Sequence, residues 1–89
     1  MPAISMFYGV IIYLYFFDKR RHHLPHIHAR YQDEEAVYSI TDGTKLEGNI
    51  PQAKERLVQA WIEIHRDELM ADWELAINGN PVFKIDPLK

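Results

Sequence analysis

From residue 52 to residue 78 the chain runs without a glycine or a proline. Within that run Leu57, Trp61, His65, Leu69 and Trp73 recur every four residues, and Val58, Ile64, Ala76 and Ile77 widen the stripe. Residues four apart share one face of an α-helix, so the spacing predicts a long amphipathic helix. Pro51 suits its first turn, where a missing N–H costs nothing, and Asn78-Gly79 is a stop signal. At 1.5 Å per residue the helix would measure roughly 40 Å. That is longer than a domain of 89 residues is wide. It must overhang its domain or bend near His65-Arg66-Asp67. With no breaker present, a continuous or gently bent helix is expected. Trp61 and Trp73 read as packing residues. Glu63, Asp67, Glu68, Asp72 and Glu74 read as the solvated face.

One apolar stripe needs a surface to cover, and the first half of the chain supplies it. Residues 9–17 are rich in β-branched and aromatic side chains and read as a strand. Alternation puts Val10, Ile12, Leu14 and Phe16 on one face and Ile11, Tyr13, Tyr15 and Phe17 on the other. A single helix covers only one of them. The second face is therefore expected to be an interface, such as with the same face of another subunit in a homo-oligomer, with the tyrosine hydroxyls kept wet at its margin. Residues 26–32 and 35–41 read as a hairpin around Asp33-Glu34. In that register Ile27 faces Ile40, Ala29 faces Tyr38 and Tyr31 faces Ala36 on an apolar side, while His28 faces Ser39 and Arg30 faces Val37 on a mostly polar one. Asp42-Gly43 turns the chain into a short strand at residues 45–48. Residues 1–6 are an extended lead-in. The expected fold is α+β, one domain over residues 1–89: an antiparallel β-meander of about four strands packed on one long C-terminal helix, with a short extended tail at residues 81–88.

Composition narrows what such a domain can be. There is no cysteine, which excludes disulfides and thiolate metal sites. So small a core is commonly supported by a metal or by association, which leaves histidine ligation or a protein partner. A net charge of −3 argues against general nucleic-acid binding, although Lys19-Arg20-Arg21 is a local basic run. The apolar run 9–17 is too short to span a bilayer as a helix, and no secretory pattern is present. A bacterial cytoplasmic protein with no membrane partner is expected.

Four of the five histidines fall between residues 22 and 28. Histidine titrates near neutral pH and is the commonest metal ligand. His26 and His28 are two apart on a predicted strand, so they point the same way, roughly 6.5–7 Å apart. With His22 from the preceding loop they form a candidate site for zinc or another late first-row divalent ion. Alternatively His26 or His28 is a general base and Arg30 holds an anionic phosphate, as a metal-independent ribonuclease acting on RNA would need. A third possibility is a hydrogen-bonded, solvated pair without chemistry. Ile27, Ala29 and Tyr31 turn inward. His65 lies on the helix stripe, out of reach of the sheet histidines.

Several stretches together resemble a family: Met1-Pro2-x-Ile4-Ser5, Pro25-His26-Ile27-His28-Ala29-Arg30-Tyr31, Leu46-Glu47-Gly48, Trp61-x-x-x-His65-Arg66-x-Glu68-Leu69, Trp73-Glu74 and Ile85-Asp86-Pro87-Leu88. They look like the bacterial domain-of-unknown-function family forty-one sixty, over nearly the whole chain. The family's motif resembles Asp-His-x-Pro-Pro-His-Phe-His-Ala-x-Tyr-Gly. His22, Pro25, His26, His28, Ala29 and Tyr31 match it, which favours His22 over His23. Arg21 stands where an acid is common and so removes a supporting carboxylate for histidine. Leu24 replaces a proline, Ile27 the phenylalanine and Gln32 the glycine. The resemblance implies a gene beside that of a second small protein, in a pair that looks like a toxin–antitoxin operon, with this member on the toxin side. The expectation is a protein that works with a cognate small partner. The alternatives are a histidine-dependent endoribonuclease or metal-dependent hydrolase, and a structural homodimer.

Overall fold

A computed structural model describes residues 3–14 and 24–88. Among them the chain forms five strands and two helices: β1 (Ala3–Phe7), β2 (Val10–Tyr13), β3 (His26–Tyr31), β4 (Glu34–Ser39), β5 (Lys45–Gly48), α1 (Gln52–Ile64) and α2 (Arg66–Ile77). The fold is α+β as expected, but the sheet has five strands rather than four. Every neighbour is antiparallel and the order follows the sequence. The extra strand is β1, inside the stretch expected as a lead-in. It pairs with β2 through Tyr8-Gly9, both at positive φ (50° and 83°). That is the conformation that matches strand twist in a two-residue hairpin. A β-carbon on Gly9 would also lie 3.1 Å from the Tyr31 ring.

The β3–β4 hairpin is as predicted in kind and shifted in detail. Its turn is Gln32-Asp33, and Ile27 faces Tyr38 rather than Ile40, with Ala29 against Ala36 and Tyr31 against Glu34. The slip is two residues, so every side chain keeps its predicted face. Gln32 takes φ 55°, at the position where the family motif has glycine.

The helical run is broken. His65 has φ −109° and ψ 22°, outside the helical region, and separates α1 from α2. No glycine or proline causes this. The molecule is 33 Å in its longest dimension, too short for the unbroken helix. Just past the break, Arg66 Nε donates to the Ile40 carbonyl at the end of the sheet (2.9 Å), a tertiary contact that ties the corner to β4.

The core lies between the sheet and the helices. Val10, Ile12, Ile27, Ala29, Ala36, Tyr38 and Ile40 meet Val58, Trp61 and Ile62 of α1 and Leu69 and Trp73 of α2. Ile64 and Ile77, counted in the predicted stripe, are exposed. Tyr38 donates from its hydroxyl to Glu55 Oε2 (2.8 Å), joining β4 to α1; burial and that carboxylate push the phenol pKa up. Lys54, in the same first turn of α1, adds a second tie, with Nζ donating to the Tyr8 carbonyl (3.0 Å) and standing over the Tyr31 ring. The tail after α2 has no regular structure. It is held by Phe83 N–H to Asp72 Oδ1 (3.0 Å), Ile85 N–H to the Ile4 carbonyl (2.8 Å) and Trp61 Nε1–H to the Asp86 carbonyl (2.8 Å). No helix among the described residues is long and apolar enough to cross a membrane.

Candidate functional site

The candidate residues sit on the sheet face turned away from the core, in rows fixed by the strand register. Met6, Ile11, Arg30 and Glu35 form one row; Tyr13, His28 and Val37 form the next; His26 and Ser39 form the third. Exposure falls along these rows. Met6 is 65 % exposed, while His28 and Val37 are 5 % exposed and His26 is fully buried. This face was expected to be mostly polar and open; the histidine end of it is closed. Trp73, which also belongs to the core, reaches this end of the sheet, its ring centroid 5.1 Å from that of His26.

His26 and His28 share a face as their spacing predicts, with ring centroids 5.2 Å apart in an edge contact. Each ring is fixed through Nδ1. His26 Nδ1–H donates to the Leu24 carbonyl (2.7 Å), and His28 Nδ1–H donates to Glu35 Oε2 (3.0 Å). Carbonyl and carboxylate oxygens only accept, so both bonds place the proton on Nδ1 and leave the lone pair of the neutral ring on Nε2. Anchoring one ring nitrogen on a carbonyl or carboxylate is how proteins orient basic or metal-ligating histidines. Glu35 therefore supplies a supporting carboxylate from the neighbouring strand. It is the diagonal neighbour of His28 across the hairpin, a relation that only the true register reveals.

The remaining candidates are dispersed. Arg30 lies two rows from His26 at the exposed end, and its Nε donates to the Gln32 carbonyl (3.3 Å). It shares the face of the histidines without joining them. Ile11 and Tyr13 are half-exposed on the same face. His22, Tyr15 and Phe17 lie outside the described residues. Among the described residues no group of three His, Cys, Asp or Glu is arranged to hold a metal ion; the two Nε2 atoms of His26 and His28 are the candidate donors. His65 packs on Trp61 (5.5 Å) and bonds Glu68 through Nδ1, apart from the sheet histidines.

Asp72, expected on the solvated face, is buried instead. It is 3 % exposed. Leu69, Asp72, Trp73 and Ala76 are the buried residues of α2, spaced i, i+3, i+4, i+7, so its position on the stripe was the available signal. Burial raises its pKa above the ordinary carboxylate value; the Phe83 N–H opposes the shift and the charge of Glu68 adds to it. A carboxyl with a raised folded-state pKa favours folding most below its unfolded pKa, and that contribution is lost as pH rises through the folded value. Asp72→Asn should therefore gain stability relative to the parent as pH climbs from about 4 towards neutrality. Urea midpoints of both proteins measured across that range check this. A difference that does not change with pH contradicts it.

The model of the family described as Domain of unknown function (DUF4160) matches residues 9–74. No curated protein and no solved structure matches the chain.

Proposed function

This chain belongs to the DUF4160 family, and on that premise we propose that it is one component of a toxin–antitoxin-like module, on the toxin side, acting in the bacterial cytoplasm in complex with a cognate small protein. The observation that carries this reading is the apolar end of the outer sheet face. Met6 stands 65 % exposed beside half-exposed Ile11 and Tyr13, and Tyr8 extends the patch at the hairpin tip. Between these strands and the tail runs a groove of about 370 Å³, lined by Met6, Ile11, Tyr13, Lys84, Ile85 and Pro87 among others. Covering a side chain such as Met6 is worth on the order of 1.5–3 kcal/mol, so an apolar strand or helix face of a partner has a place to bind.

A second reading, a histidine-dependent endoribonuclease or metal-dependent hydrolase, draws on the His28–Glu35 pair, because a carboxylate on Nδ1 is what keeps an imidazole basic at Nε2. The near-complete burial of both rings weighs against it, since substrate would reach Nε2 only after the cover opens.

One growth assay separates the readings. The chain is expressed alone and together with the protein encoded beside it, as parent, Ile11→Asp and His28→Ala. The partner reading expects growth arrest by the chain alone, rescue and co-purification with the neighbour, and loss of co-purification in Ile11→Asp. It fails if neither growth nor solubility depends on the neighbour. Loss of toxicity in a folded His28→Ala favours the enzyme reading. Self-association of the pure chain, abolished by Ile11→Asp, marks the face as a homo-oligomer contact instead.

A further inference from the structure

A second cleft, of about 480 Å³, opens between α2 and the tail. Its volume falls within the range of small-ligand sites. Leu75 and Ile85 give it apolar walls, and Phe83 stands at its lip with 72 % of its surface exposed, the highest among the large apolar residues described. Three acids, Glu68, Asp72 and Glu74, line it against one base, Lys84. Two of the acids are exposed and need no explanation. Asp72 does, because its side chain is buried, and Oδ2 has no hydrogen-bond partner among the described residues. Its other oxygen accepts from Phe83 N–H, a bond that ties the two walls of the cleft together. Leaving one oxygen of a buried carboxyl unpaired is costly, and such atoms in native proteins usually have a partner.

We propose that this cleft is a binding site for an organic cation, a guanidinium or ammonium on an apolar stem, whose head donates to Asp72 and whose stem packs on Phe83, Leu75 and Ile85. A forked donor suits a carboxylate with one oxygen unused, and the exposed ring of Phe83 offers its face to a cation. Two sources carry this chemistry: a free small molecule and the arginine side chain of another protein. Lys84 and Ile85 line this cleft and the groove at the outer sheet face alike, but Asp72 and Phe83 belong to this cleft and Ile11 to the groove, so Asp72→Asn and Ile11→Asp test the two proposals separately.

The test is a ¹H–¹⁵N spectrum of the whole chain titrated with benzamidine, its neutral isostere benzamide, and N-acetyl-arginine amide. Benzamidine should shift the amides of Asp72, Leu75, Phe83 and Lys84, and benzamide should not. Asp72→Asn should weaken binding by about tenfold or more, as expected for loss of a charge-assisted bond. Phe83→Ala, a change at an exposed position, should weaken it several-fold with the fold intact. Tighter binding of the capped arginine than of benzamidine assigns the site to a protein side chain, and the reverse order to a free cation. The proposal is overturned if benzamide shifts the same amides equally, if both variants bind like the parent, or if neither cation moves these amides at millimolar concentration.

Discussion

Gly48→Ala should cost the protein about 3 kcal/mol or more, among the larger losses available to a single added methyl group. Gly48 has φ 77°, in the left-handed region that costs a residue with a β-carbon about 1–2 kcal/mol. Space is the larger obstacle. A β-carbon there would lie 2.2 Å from the Glu35 carbonyl oxygen and 3.0 Å from the Ala36 Cα. These are backbone atoms of β4, locked into pairing with β3, and they cannot swing aside as a side chain does. The strain falls on Glu35, the residue that fixes His28, so the variant should also disturb the His28 ring resonances. Gly43 is the control. It has φ 76° but nothing within 4 Å of the added atom, so Gly43→Ala should cost only about 1–2 kcal/mol. Urea unfolding of both variants decides the matter; equal losses would mean that backbone conformation alone, and not the close approach, sets the requirement.

Trp61→Ala should cost on the order of 3–5 kcal/mol, the usual range for emptying a buried aromatic site. The indole is fully buried, with its ring 5.3 Å from Phe7 and 5.5 Å from His65, and Nε1–H donates to the Asp86 carbonyl. One side chain thus joins β1, the helix corner and the tail. Trp61→Phe separates packing from hydrogen bonding: it keeps most of the contact and loses the bond, at about 1–2 kcal/mol. Both variants should release the tail, read as faster proteolysis after residue 80. A Trp61→Phe protein whose tail is cleaved no faster than the parent's would show that the other two anchors suffice.

Much of the architecture was legible because alternation with period two reports faces directly. Ile27, Ala29, Tyr38 and Ile40 turned inward, and His26, His28 and Arg30 turned outward, as the pattern requires. The same period hides a two-residue slip, since no side chain changes face, and the turn at Gln32 carries no glycine to mark it. β1 was missed because Tyr8-Gly9 is a weak hairpin signal, although its geometry is that of a favoured turn. The break at His65 lies where the length of the run allows a bend, and the contact of Arg66 with Ile40 beside it is one that no local pattern encodes. At the site, the shared face of His26 and His28 followed from spacing alone. Its closure could not be read, because burial of a polar face depends on what packs over it. Glu35 was hidden by the register, and Asp72 by its charge, which masks its place on the buried stripe of α2.

The bond from Ile85 N–H to the Ile4 carbonyl has a consequence in time as well as in space. β1 is synthesised before the tail, and its outer edge gains this contact only when residue 85 is made. At about 5–20 residues per second that interval is roughly 4–16 s. Throughout it the nascent chain presents an edge strand with a backbone acceptor still uncovered, the kind of edge that recruits foreign strands. Any strand that met the chain in this window would find more of the β1 edge accessible than the finished fold offers.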